Sequence, residues 1–266
     1  YVYTETGEDN GSYTLFFCLG GTNSGISSGL AVASPVGVEY GSFENLKVGL
    51  IGHWALDNID GVVDKSTSGN NGTGVGGVTI GGATDRHGQA NGATSFDGVN
   101  DYIDCGAFTQ IDGIQKMTMV YWGKKSATNK LLPIGKRSDS SANASAIALN
   151  VWNDGLIYWN VSEFPVVRAG RCSFNDTNWH LFTMVFDGSL SGNENRLKGY
   201  IDGIQQSLFF TGTIPTSLTS IAGNMYIGAS SQSIATYYGS GSISDVRVYN
   251  RALSEEEIQQ LYLLEN

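Results

Sequence analysis

Proline is scarce here, 4 in 266 residues, and so are cysteine, at 3, and charged side chains, at 15%. Little proline beside 36 glycines excludes a helical protein less directly than it favours many short strands, since proline removes a ladder donor and glycine supplies positive φ in tight turns. An odd cysteine count leaves one of Cys18, Cys105 and Cys172 unpaired in any scheme. No disulfide framework is readable, and small buried hydrophobes are the expected roles. No apolar run is long enough to read as a membrane span. Basic residues number 15 against 25 acids, for a net charge of −10. No basic stripe exists to displace counterions from phosphates, so nucleic acid and anionic membranes are excluded as partners. The chain starts at Tyr1 without a signal pattern, which is read as a processed terminus or a fragment. Its low-charge, Asn/Ser/Thr-rich character points to an extracellular, virion or cell-surface setting.

What is present is strand pattern. Alternation through Met117–Trp122, Ala146–Trp152 and Leu156–Val161 predicts half-buried strands. Leu50–Leu56 reads as a buried strand, and Leu197–Ile201, Gln205–Phe209, Met225–Gly228 and Ile243–Tyr249 complete the set. Asn153-Asp154-Gly155 and Asp202-Gly203 read as hairpin turns. Ala93–Phe96 and Tyr102–Asp104 read as two more strands joined by a turn rich in Asp, Gly and Asn. One helix closes the chain: Ser254 caps it with Glu257 three residues on, and Ile258, Leu261 and Tyr262 form an apolar face. At 266 residues the chain can bury the core of one large sandwich.

Residues 1–48 stand apart. Tyr13–Leu19 and Ser28–Ala33 read as strands among Gly, Ser and Asn turns. Two strands make no independent core. This arm is therefore expected to pack on its own sandwich or on a neighbouring chain.

An ordered series of motifs follows. It runs from Gly52-His53-Trp54-Ala55-Leu56-Asp57 through Asp64–Thr73, Asp85-Arg86-His87-Gly88 and Ser95-Phe96-Asp97-Gly98. It continues with Asn178-Trp179-His180, Phe186-Asp187-Gly188, Gly199–Gly203 and Ile243–Ser254. Over about residues 49–262 this series resembles the laminin-G-like, concanavalin-A-like jelly rolls. The resemblance implies an all-β, antiparallel jelly-roll β-sandwich over 49–266, with a short C-terminal helix and an N-terminal β arm. Residues 1–48 match nothing in that family, and the likeness speaks to fold more than to ligand.

Hydrolases of this sandwich class carry two or three carboxylates at alternate positions of one cleft strand. No strand here does so, and Glu255–Glu257 sit at a helix start, where the dipole accounts for them. His53, His87 and His180 lie inside fold motifs without a nucleophile pattern, and no Cys/His spacing fits zinc. No enzyme is expected. Calcium takes oxygen ligands, and Asp57, Asp60, Asp64, Asn70, Asn71 and Asp97 supply many. The resemblance adds Asp245, where glucanases of similar fold place an Asp that helps hold a structural calcium. A structural Ca2+ on Asp245, with Asp64 and Asp97 as partners, is the metal expectation; the alternative is turn formers capping their own backbone.

Trp159, Tyr237, Tyr238 and Trp152 are the candidate sugar platforms. Tyr158 and Trp159, being adjacent on a strand, face opposite ways, so one of them is core. Sequons at Asn10, Asn71, Asn143, Asn160 and Asn175 permit glycosylation.

Two functional readings follow. The favoured one is a non-catalytic structural or adhesive subunit of a surface assembly, a fibre or appendage. Its arm joins copies of itself by strand addition through Tyr13, Leu15, Phe16 and Phe17. The other is a monomeric lectin-like module that binds glycans.

Overall fold

The computed structural model describes residues 2–5, 13–19, 29–34, 37–40, 43–126, 134–138, 145–151, 155–163, 166–230 and 238–265. Before residue 45, and at 264–265, it describes the backbone alone. Four strands open the chain: β1 (Val2–Glu5), β2 (Tyr13–Leu19), β3 (Gly29–Ser34) and β4 (Gly37–Tyr40). They form an antiparallel meander, a sheet separate from those that follow. The two expected arm strands are β2 and β3, and β1 and β4 flank them. β2 is consequently internal, bonded to β1 on one edge and to β3 on the other. Lending Tyr13–Leu19 to a neighbour would break both ladders, whereas β1 and β4 lie at the sheet's edges.

A 3-10 turn, Phe43–Lys47, leads into β5 (Leu50–Trp54), β6 (Thr73–Val75), β7 (Thr79–Ala83), β8 (Ala93–Asp97) and β9 (Tyr102–Asp104). Next come β10 (Lys116–Lys125), β11 (Ile134–Arg137), β12 (Ala146–Val151), β13 (Leu156–Ser162), β14 (Ala169–Ser173) and β15 (His180–Asp187). A short helix, α1 (Asn193–Arg196), precedes β16 (Leu197–Ile201), β17 (Ile204–Gln205), β18 (Phe209–Thr211), β19 (Met225–Ile227) and β20 (Ser240–Tyr249). The helix α2 (Glu255–Glu265) ends the chain.

These strands make two sheets. Sheet one has the order β17-β16-β15-β10-β20-β8-β7, with β5 also on β20. Sheet two has the order β18-β14-β13-β12-β11-β19-β9-β6. Alternation decides which side chains meet between them. Met117, Met119 and Tyr121 of β10 face Leu149, Trp159, Ile227 and their neighbours in one continuous core. Val120 and Trp122 point the other way, under Leu253, Ile258 and Leu261 of α2. The predicted capping box is present: Ser254 Oγ accepts from Glu257 N at 3.2 Å, and Ser254 N donates to Glu257 Oε2 at 2.9 Å.

The two strands expected over Ala93–Phe96 and Tyr102–Asp104 lie on different sheets. β8 pairs with β7 and β20 in sheet one, while β9 pairs with β19 and β6 in sheet two. The turn chemistry is as read, for Asp97 Oδ1 accepts the Val99 and Asn100 amides, but the turn carries the chain across the sandwich. Likewise the strand expected over Gln205–Phe209 splits into β17 on sheet one and β18 on sheet two. Asp202 and Gly203, at φ of 53° and 78°, do form the tight turn between β16 and β17. Asn153 and Asp154 lie outside the described residues. Cys105 and Cys172 are buried free thiols, and burial pushes the Cys172 thiol up to about 11. The Cys18 side chain lies outside the described residues.

Candidate functional site

The carboxylates proposed for calcium are each held by hydrogen-bond donors. Asp64 is buried; its Oδ1 accepts the amides of His53 and Ser66 at 2.9 Å each. Its Oδ2 accepts the Asn70 amide at 2.8 Å and Asn70 Nδ2 at 3.3 Å. Burial works to raise the Asp64 pKa, but these amide donors outweigh it and hold the carboxyl below its ordinary value. The loop is tied down further by Trp54 Nε1 on the Asn70 carbonyl, Asn70 Nδ2 on that of Ile51, and Asn71 Oδ1 under the Asp64 amide. Asp245, at φ 48°, sits where β20 changes partner from β8 to β5. Asp tolerates that left-handed backbone better than most residues. Arg247 grips its carboxylate through Nε at 3.0 Å and Nη2 at 2.9 Å, and His53 Nε2 lies 2.8 Å from Oδ1. Asp97 caps its own turn. Among the described residues no three His, Cys, Asp or Glu side chains gather as a metal site requires. A cation at any of the three Asp residues would have to displace these donors.

Of the sugar platforms, Trp159 requires correction. It is fully buried in the main core, with Nε1 donating to the Thr183 carbonyl at 2.9 Å. Strand alternation assigns the outward position to Tyr158. Tyr238 is also packed rather than displayed. It lies 6.0 Å from Tyr102, which meets Tyr226 edge-on at 5.3 Å, in a small cluster with Ala229. Burial and the neighbouring Asp104 carboxylate push the Tyr226 phenol up to about 12. Tyr237 and Trp152 lie outside the described residues, as do Asn10 and Asn143. Asn71 and Asn175 are exposed, while Asn160 is half-buried. The side chains of Tyr13, Leu15, Phe16 and Phe17 are not among those described.

The register of sheet two assembles a surface that no single stretch announces. α2 covers the outer face of sheet one; among the described residues no α-helix lies on that of sheet two. Phe209 pairs with Arg171, Arg171 with Tyr158, and Tyr158 with Asn150, in a straight row across β18, β14, β13 and β12. Each is flanked by a core residue, Phe210, Cys172, Trp159 and Leu149 respectively, so all four point outward. Phe209 is 73% exposed, whereas Asn150 is 4% exposed and its Oδ1 has no hydrogen-bond partner. The adjacent row is small: Ala169, Asn160, Ala148 and Gly135 lie side by side. The result is a row of small, mostly buried residues beside a strip of aromatic, guanidinium, phenol and amide.

Comparison with known proteins places this architecture. The laminin-G-type model of the concanavalin A-like lectin/glucanases superfamily matches residues 97–259. No curated protein sequence matches the chain. Among solved structures, botulinum neurotoxin type C, which depends on interaction with two ganglioside molecules to enter cells, is similar with TM-score 0.60 at 12% identity. That match covers 85% of this chain and 53% of the toxin chain. The receptor-binding domain of botulinum neurotoxin D is similar at TM-score 0.55 and 15% identity, covering 83% and 54%. A Trypanosoma rangeli sialidase is similar at TM-score 0.56 and 15% identity, covering 82% and 33%. The chain thus spans about half of the toxin chains and a third of the sialidase. At such identities the likeness is one of fold. With the family model matching more than half of its length over these two sheets, the chain belongs to the concanavalin A-like lectin/glucanases superfamily.

Proposed function

We propose that the sandwich is a non-catalytic carbohydrate-binding module working at or outside a cell surface, with its sugar lying along the outer face of sheet two. The row Phe209–Arg171–Tyr158–Asn150 carries this reading. Sugar rings present apolar faces and rings of hydroxyls, which suit flat aromatics alternating with planar polar groups. A glycan interaction stated for the type C toxin, of similar fold, supports it. Among the described residues the strands of this face carry one outward acid, Asp104 on β9, and Glu163 just past β13 lies four strand spacings from it in the sheet order. At about 4.8 Å per spacing that is roughly 19 Å, well beyond the ~9.5 Å upper limit for a glycosidase pair. A glycan array on the intact chain tests the module. Binding is expected, and Phe209→Ala is expected to weaken it about tenfold or more without lowering the melting temperature. A blank array would sink the reading.

A second reading concerns the arm. Its four strands form a sheet of their own with β1 and β4 at the edges, and we propose that these edges join copies of the chain.

A further inference from the structure

We infer that the sugar taken by the outer face of sheet two is an acidic one, its carboxylate or sulfate held by Arg171. This rests on the carbohydrate reading above. Acids outnumber bases 25 to 15 in this chain; three of its other arginines are matched to an acid, and Arg196 is taken up by the Leu190 and Ile214 carbonyls. Arg168 meets Glu163 at 3.3 Å, Arg247 meets Asp245 at 2.9 Å, and Arg251 meets Glu257 at 2.7 Å. Arg171 has no acid. Its contact is a long hydrogen bond, Nη1 to Thr211 Oγ1 at 3.5 Å, at an exposed site. That leaves the guanidinium fork aimed from the middle of the row, between Phe209 and Tyr158, with most of its donors unused. A planar anion matches that fork in a way a neutral hydroxyl does not.

The far end of the row supplies a second, independent observation. Asn150 is nine-tenths buried, yet its Oδ1 accepts nothing. A buried acceptor without a donor costs free energy in the unliganded protein, and a sugar hydroxyl or amide N–H at this end would satisfy it. The row spans three strand spacings, about 14 Å. An apolar ring face on Phe209, an acid group on Arg171 and a hydroxyl at Asn150 therefore call for an oligosaccharide rather than one ring.

Calorimetry on the full chain tests this with three probes: a neutral gluco-oligosaccharide, an oligogalacturonate, and a chondroitin sulfate oligosaccharide. The expected result is that one or both acidic probes bind at least about tenfold tighter than the neutral one, the two acidic arms separating carboxylate from sulfate. Arg171→Gln is expected to erase that preference while leaving the melting temperature unchanged. Asn150→Leu is expected to weaken every probe that binds while raising the melting temperature, because a buried unpaired amide is replaced by a packed hydrocarbon. Equal affinity for neutral and acidic probes, or a preference that survives Arg171→Gln, overturns the acidic assignment and leaves the carbohydrate module standing. Failure of all three probes together with a blank array overturns both.

Discussion

At the scale of single residues, Asp64 is the clearest case of a side chain whose type was legible and whose job was not. Four donors converge on it, the amides of His53, Ser66 and Asn70 and Asn70 Nδ2, and no spacing rule joins residue 53 to residue 64. Asp64→Ala would leave those donors without an acceptor at a buried position, costing roughly 3 kcal/mol in urea unfolding at neutral pH. Because the folded pKa lies below its unfolded value of about 3.9, the carboxylate's contribution is full above about pH 4. It is lost as pH falls through the folded value. The gap between wild type and variant should therefore narrow in acid; a gap constant down to pH 2 would refute the role. The Tyr158/Trp159 pair teaches the same lesson. Adjacency showed that one faces the core, and only the position of sheet one, with the Thr183 carbonyl awaiting the indole, settled which.

At the scale of elements, local signals were most readable where they are self-contained. The α2 capping box was visible in Ser254 and Glu257, and both of its hydrogen bonds form. Ser254→Ala should cost about 1 kcal/mol. It should also loosen the face where Tyr262 stacks on Trp122, with ring centroids 5.8 Å apart, seen as lost near-ultraviolet dichroism before global unfolding. An unchanged melting curve would show that packing alone holds the helix. The Asp202-Gly203 turn was equally readable, but its anchor was not. His180 Nδ1 lies 2.7 Å from Asp202 Oδ2, and the Leu181 amide donates to Oδ1. The Asp202 hydrogen bond, against the opposing effect of burial, raises the His180 pKa. This pinning joins β15 to the tip of the β16–β17 hairpin across 22 residues. The turn after Asp97 was readable as a turn, but its crossing between sheets was not, because Asp, Gly and Asn specify a reversal of direction, not the strand that waits on the other side.

At the scale of the whole molecule, the described side chains of the two sheets and α2 form closed cores, and Leu46 is the first of them in the chain. Leu46 is 5% exposed and packs with Val120 and Trp122, while Arg251 donates to the carbonyls of Asn45 and Val48. Removing residues 1–42 should leave the melting temperature within a degree or two, whereas removing 1–47 should lower it, since a buried leucine is worth about 2 kcal/mol. Light scattering on the same truncation tests the arm's edges. Assembly of the full chain that disappears on removing 1–42 supports joining through the arm. A monomeric full chain removes that reading.

Sequence alone determined the class of structure here: alternation, glycine-rich turns and the ordered motifs from His53 to Ser254 specify an antiparallel jelly roll, because these signals act over a few residues at a time. Tertiary structure decided which strands are neighbours, and with them the outer row. Phe209, Arg171, Tyr158 and Asn150 come from four strands spread over 60 positions, and a period of two says only that each faces one side or the other. Register across three ladders, a property of the closed sheet, is what sets an exposed ring, an exposed guanidinium and an unsatisfied amide in one line.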